Sequence, residues 1–175
     1  PPGWRRLAEG LRHSKERDAR AISHHYDVSS AFYELVLGPS MAYTCACYPR
    51  DDATLEEAQE HKFDLVARKL GLRAGMRLLD VGCGGGGMVR HAAKHYGVKT
   101  IGVTLSQEQA AWAQEEIKRQ GLDDLAEVRH MDYRDVTETG FDAISSIGLT
   151  AHVGGKDYPA SLGLSRARAK VGGRI

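Results

Sequence analysis

Asp80, Gly82, Gly84 and Gly87 are the residues of this chain whose types and spacing most plainly imply chemistry. Leu78-Leu79 leads into the acid, and Gly82-Cys83-Gly84-Gly85-Gly86-Gly87 then opens onto the helix-like run Met88–Tyr96. Strand, glycine turn and helix in succession let a backbone approach a nucleotide-like ligand closely. Four successive glycines lose much conformational entropy on folding, which a turn without a ligand gives little reason to keep. Asp80 precedes the first glycine, where it can reach the polar groups of a ligand's amino-acid part. A dinucleotide-binding dehydrogenase instead wants an acid about 20 residues on, at the end of the second strand, to hold ribose hydroxyls. Here that position is Thr104, flanked by Val103 and Leu105, and a hydroxyl binds a ribose more weakly than a carboxylate does. Asp132-Tyr133 is placed to meet an adenine, the acid accepting from its amino group and the ring packing on its face. These features favour S-adenosylmethionine over NAD, with an NAD-dependent oxidoreductase kept as an alternative.

The elements that must position these residues are legible in the same pattern. Arg77–Val81, Lys99–Thr104, Glu127–His130 and Phe141–Ile147 read as strands, alternating with helices near 87–96, 106–120 and 158–170. Repeated βα units of this length predict an α/β fold with a doubly wound, mostly parallel, Rossmann-like sheet, which binds ligands at the carboxyl ends of its strands. Thr54-Leu55-Glu56-Glu57 and Ser106-Gln107-Glu108-Gln109 each read as a capping box, the first opening a helix to about Leu70. Residues 29–37 form a further helical candidate closed by Gly38-Pro39. Residues 1–20 carry six Lys/Arg against three acids, with Trp4, Leu7 and Leu11 at helical spacing. Such a basic amphipathic helix suits either an anionic membrane surface or packing on its own domain. The division expected is an N-terminal helical lid on the substrate side (1–70) and a cofactor-binding α/β core (71–175). The chain begins at Pro1 without Met, and Gly172-Gly173-Arg174-Ile175 reads as a turn entering a strand, so a fragment lacking the C-terminal part of the fold is expected.

Bulk composition narrows the classes. With 42% hydrophobic residues, 27% charged and a net charge of +1, the 175-residue chain suits a soluble globular protein and lacks the basic excess of a nucleic-acid binder. Cys45, Cys47 and Cys83 form no zinc pattern, so free thiols, a reducing cytoplasm and no metal site are expected. No signal peptide is visible and no apolar run approaches roughly 18 residues, so no membrane span is expected.

Several segments together resemble the cyclopropane fatty acid synthase and mycolic acid methyltransferase family. They are His25-Tyr26-Asp27 with Phe32-Tyr33; Pro39-Ser40-Met41-x-Tyr43-Thr44-Cys45-Ala46; Thr54-Leu55-Glu56-Glu57-Ala58-Gln59; Leu79-Asp80-Val81-Gly82-Cys83-Gly84; Gly102-Val103-Thr104-Leu105-Ser106-x-x-Gln109; Asp132-Tyr133-Arg134-Asp135; and Ser146-Ile147-Gly148. The wording is most similar to the branch that methylates oleoyl chains toward 10-methylstearate (tuberculostearate). The resemblance implies a class I methyltransferase moving a methyl group from S-adenosylmethionine to the double bond of an unsaturated acyl phospholipid. By it, Tyr43, Thr44, Asp80, Gly82, Cys83, Gly84, Thr104, Leu105, Gln109, Asp132, Tyr133 and Ile147 contact the cofactor. Cys45, Tyr43 and His152 are the catalytic candidates, with Cys45 beside a bicarbonate ion that serves as base. A dry pocket lined by aromatic faces would suit a cationic intermediate, and Tyr26, Phe32, Tyr33, Tyr43 and Tyr48 are its candidates. His25 is weighed as a base against a hydrogen-bonded His24-His25 pair at a surface. A cytoplasmic protein touching the inner membrane face is implied, with no nucleic acid and the oligomeric state open.

The chain departs from the family at three informative places. The family's Ser-Ile-Gly-x-x-Glu-His reads Ser146-Ile147-Gly148-Leu149-Thr150-Ala151-His152 here, so Ala151 stands where a glutamate would help hold bicarbonate. Gly85 stands where the family usually has Trp, which predicts a gap beside the glycine turn. The tail Ala160–Lys170 lacks the apolar and aromatic residues expected there. Two rivals follow: a non-catalytic S-adenosylmethionine-binding protein, and a methyltransferase for a small polar metabolite.

Overall fold

The computed structural model describes residues 30–149, 153 and 157–175. The expected basic helix in residues 1–20, His24-His25, Tyr26, Asp27 and Thr150-Ala151-His152 lie outside these residues. In chain order the elements are α1 (Ser30–Leu37), α2 (Leu55–Leu70), β1 (Arg77–Val81), α3 (Gly87–Tyr96), β2 (Lys99–Thr104), α4 (Gln107–Arg119) and β3 (Ala126–His130). A single 3₁₀ turn (Tyr133–Asp135), β4 (Phe141–Ser145), α5 (Tyr158–Arg168) and β5 (Ala169–Arg174) complete them.

Local chemistry sets these boundaries. Thr54 Oγ1 accepts from the Glu57 amide at 3.2 Å while Glu57 Oε2 accepts from the Thr54 amide at 2.8 Å, the reciprocal box that starts α2. Gly71 closes that helix at φ 63° and Gly97 closes α3 likewise, a conformation costly for residues with a Cβ. At α4 the expected box is only half formed. Ser106 Oγ accepts from the Gln109 amide, but the Gln109 side chain turns away and its Oε1 accepts from Thr104 Oγ1 at 3.0 Å.

The strands form one parallel sheet in the order β3-β2-β1-β4-β5. Central β1 alternates between two packed faces. Leu78 joins Phe63, Ala67, Leu70, Met88 and Ala92 on one side, while Leu79 and Val81 join Val103, Val136, Phe141 and Ile144 on the other. Each of the larger side chains among these contributes about 1.5–3 kcal/mol through burial. Among the described residues no helix is long and apolar enough to cross a membrane.

Two strand expectations change. β4 ends at Ser145, and Ile147 leaves the strand to pack against the cluster around Leu78 and Phe63. The Gly172-Gly173 pair lies inside β5 instead of forming a turn before it. Gly172 takes φ 78° where the pairing register shifts between Phe141 and Ala143, so the glycines serve a bulge. β5 is the edge strand, with Val171 fully exposed, and α5 buries none of its residues.

Candidate functional site

The strand order reverses direction between β1 and β4, and a crevice at the carboxyl ends of such strands is where doubly wound sheets take ligands. Asp80 and Ser145 are register partners across that point, and Ser145 Oγ donates to Asp80 Oδ1 at 2.6 Å. Asp80 is buried at 3% exposure. Burial raises its carboxyl pKa to about 6, against the opposing Ser145 hydrogen bond and the Lys62 charge. A carboxylate held this far from water favours a cationic neighbour.

The glycine turn lies beside it. Gly82 takes φ 71° and Gly84 φ 54°, and the amides of Gly82 and Cys83 both donate to Val103 O at 3.0 Å. A Cβ on Gly82 would come within 3.0 Å of Leu149, so the loop after β4 roofs the turn. At Gly84 only Gln109 Nε2, at 3.9 Å, would meet a Cβ. Space is therefore open between Gly84 and Gln109, a cradle whose far wall Thr104 fixes by its hydrogen bond to Gln109. α3 begins here without a side-chain cap, leaving its first amides and positive dipole end toward the turn.

Gly85 does not leave the expected gap. A Cβ there would stand 2.8 Å from Met41 Cβ and 3.5 Å from Trp112, and Arg90 Nη1 donates to Gly85 O. Arg90, buried and stacked 4.9 Å from the Trp112 ring, also reaches the carbonyls of Pro39 (3.4 Å) and Ser40 (3.3 Å). Burial lowers its pKa to about 10. Restoring the family's tryptophan, Gly85→Trp, is therefore expected to destabilise the chain by about 1–3 kcal/mol, as overpacking does. Urea unfolding beside the parent checks this; equal or higher stability would show that Met41 yields.

Helix α2 holds the upstream loop over this crevice. Gln59 Nε2 donates to Thr44 O at 3.0 Å, and Lys62 Nζ donates to Thr44 Oγ1 at 2.7 Å and Gln59 Oε1 at 2.5 Å. Lys62 is 4% exposed. Burial lowers its pKa, while Cys45, Cys47 and Asp80 act in the opposite sense. Thr44 in turn packs on Gly148, where a Cβ would lie 2.8 Å from its methyl group. The geometry thus brings together Thr44, Asp80, Gly82, Gly84, Thr104, Gln109 and the loop holding Ile147 and Gly148. Sequence reasoning missed Lys62 and Arg90, because long charged side chains read as solvated unless tertiary packing is known.

The other expected site residues differ in exposure and partners. Tyr43, Phe32 and Tyr48 are 63%, 53% and 57% exposed. Tyr33 meets Tyr43 edge-on at 6.2 Å and Phe32 at 5.7 Å, so these three rings form one aromatic group beside the Thr44 loop. Cys45 is exposed on the same loop. Cys83 packs over Gly102, and burial pushes its thiol well above its ordinary value. Leu105 O lies 3.2 Å from His130 Nε2. The Asp132 carboxylate is bidentate to the Arg134 guanidinium (2.9 and 2.5 Å), and Arg134 also lies 5.7 Å from the Tyr133 ring. The acid and ring expected for an adenine thus already share a cation.

Residues 13–175 match the family described as mycolic acid cyclopropane synthetase. A probable fatty acid methyltransferase of Mycobacterium tuberculosis is 62% identical over 99% of this chain and 40% of its own length. A cyclopropane-fatty-acyl-phospholipid synthase of Escherichia coli is 42% identical over 83% of this chain and 36% of its own. The crystal structure of mycolic acid cyclopropane synthase CmaA1 complexed with SAH and CTAB superposes with a TM-score of 0.80 at 38% identity, covering 87% of this chain and 53% of that one. The chain thus spans well under two thirds of the relatives it matches, and its sheet is that of the class I methyltransferases. It belongs to the mycolic acid cyclopropane synthetase family.

Proposed function

We propose that this chain is the cofactor-binding part of an S-adenosylmethionine-dependent methyltransferase acting on the double bond of an unsaturated acyl phospholipid. The observation that carries the reading is Asp80, a buried carboxylate across the switch point beside the open Gly84–Gln109 cradle. S-adenosylmethionine supplies a methyl group activated on a cationic sulfur, with an ammonium on its amino-acid end. The residues present fit it: Asp80 offers the anion, Gly82 and Gly84 let the backbone come close, and Gln109, aligned by Thr104, offers hydrogen bonds to a ribose. Leu105, Ile147, Cys83 and Tyr133 complete the proposed contacts. Asp132, beside Tyr133, is the proposed partner of the adenine amino group.

Residues 1–70 would serve as the lid. Tyr43 and Tyr33 present ring faces that attract positive charge, suiting an alkene that turns cationic once methylated. Lys62 and Gln59 hold Thr44, and so the loop with Tyr43 and Cys45, against the core. For bicarbonate the fit is incomplete, because Ala151 has no side-chain donor or acceptor; Cys45 and His152 remain its proposed neighbours, and no step is routed through it.

Calorimetric titration of the chain with S-adenosylmethionine tests the binding claim: one site is expected, and no heat or a preference for NAD would overturn it. Ala151 favours a second reading, binding without turnover. Ala151→Glu in the longer parent chain is expected to raise methylation of oleoyl lipids at least tenfold, since losing such an anchor costs about 10²–10³ in rate elsewhere. Mass spectrometry of extracted lipids reads it as one added methylene unit. No gain over the parent would show that this position does not limit activity.

A further inference from the structure

Away from the crevice, on the outer side of α2 and α3, three metal-ligating side chains converge. His91 and His95 lie one turn apart on α3, a spacing that puts both on one helix face, with ring centroids 4.6 Å apart. Glu60 reaches across from α2, its Oε2 2.8 Å from His91 Nδ1. One donor atom from each residue lies within 4.8 Å of the others.

We propose that Glu60, His91 and His95 form a binding site for a divalent ion of the zinc class. Two imidazoles and one carboxylate suit Zn²⁺ and its neighbours Co²⁺ and Ni²⁺ better than the all-oxygen ions Mg²⁺ and Ca²⁺. His91 is the fixed ligand: it is buried and flanked by Phe63 at 5.9 Å and Tyr96 at 6.0 Å. Glu60 and His95 are exposed and free to adjust. Tetrahedral donors about 2.1 Å from zinc sit about 3.4 Å apart, so rotation of these two side chains closes the remaining distance. Their exposure leaves the fourth position to water. A second feature marks the ring. Among the described residues His91 Nε2 is buried without a hydrogen-bond partner, so the polar contact of the ring is the one its Nδ1 makes with Glu60; zinc would take the Nδ1 lone pair, and the neutral ring would then carry its proton on Nε2.

The consequence is mechanical. An ion here would tie α2, whose Gln59 and Lys62 hold the Thr44 loop, to α3, whose first residue is Gly87 of the glycine turn. Cysteine spacing, which predicts no metal site, carries no sign of a His-x-x-x-His pair opposite a glutamate.

The experiment uses the whole chain stripped with chelator and titrated with ZnCl₂ alone. One zinc per chain is expected, with a melting temperature raised by about 5–10 °C at a hundredfold excess over Kd. His95→Ala and Glu60→Ala change exposed side chains and should each weaken binding at least about tenfold, the scale seen even for groups that only support a ligand. Co²⁺ in place of zinc should show no thiolate charge-transfer band. Absence of zinc binding, affinity unchanged in both variants, or a thiolate band pointing to Cys45 and Cys47 would each overturn the proposal. S-adenosylmethionine binding is read separately, so its failure leaves this result standing.

Discussion

Asp80→Asn is expected to weaken S-adenosylmethionine binding about 100-fold at neutral pH, the scale of one lost charge-assisted hydrogen bond, while leaving the fold intact or firmer. The asparagine carbonyl can still accept from Ser145, so β1 and β4 keep their cross-strand bond. What disappears is the penalty of a buried carboxylate. The carboxyl titrates at about 6 in the fold, against 3.8 for an aspartate surrounded by water. A raised acid contributes stability fully below the lower value and loses it as pH climbs through the upper. Above pH 6 the deficit reaches about 3 kcal/mol, and Asn removes it. Ligand linkage runs the other way. A cation binds the carboxylate form, so affinity should fall about tenfold per pH unit below 6 and level off above it. The variant should bind weakly at every pH. Calorimetry from pH 5 to 8, paired with thermal melting, reads both trends. Unchanged affinity would remove Asp80 from the cofactor site, and a fall in stability together with affinity would make its role structural.

Lys62→Met should separate loop placement from folding. Methionine keeps most of the volume beside Phe63 and relieves the desolvation of a buried ammonium, so melting should stay level or rise. Thr44 loses its 2.7 Å partner, and the segment bearing Tyr43 and Cys45 is then held chiefly by Gln59. Misplacement of a reacting group by about 1 Å can cost about 100-fold in rate. That is the loss expected for methyl transfer in the longer parent, with S-adenosylmethionine affinity weakened about tenfold. A second readout is specific to the charge. Lys62 holds down the Asp80 carboxyl pKa, so its removal should move the pH midpoint of cofactor binding upward. Lys62→Arg, which keeps the charge but puts a bulkier planar group in place of the compact ammonium, should return the midpoint more fully than the rate. An unmoved midpoint would sink the electrostatic role of Lys62; an unmoved rate would sink its positioning role.

Much of the framework was written in short-range chemistry. Gly71 and Gly97 stop helices because each adopts a left-handed backbone, and the Thr54–Glu57 box starts one by satisfying amides that nothing else reaches. Such signals act within a few residues and survive without a partner structure. The Gly172-Gly173 pair misled for the opposite reason: glycine marks both turns and bulges, and only pairing with β4 decides which. Gly85 misled similarly, since the space beside it is filled by Met41 and Trp112, distant along the chain. At the candidate site, motif spacing marks Asp80 and Gly84, while Gln109 enters through the family resemblance. Lys62 and Arg90 enter through neither, because nothing local marks a cation that the fold will bury.

The packing of Cys83 over Gly102 has a practical consequence beside the exposure of Cys45. The protein carries its own graded set of chemical probes. A maleimide added in limiting amount should mark Cys45 first, Cys47 more slowly, and Cys83 last, when β1 and β2 separate. Labelling of the first thiol would then register the position of the loop, and labelling of the last would register loss of the sheet. The chain can report on both without any introduced label site.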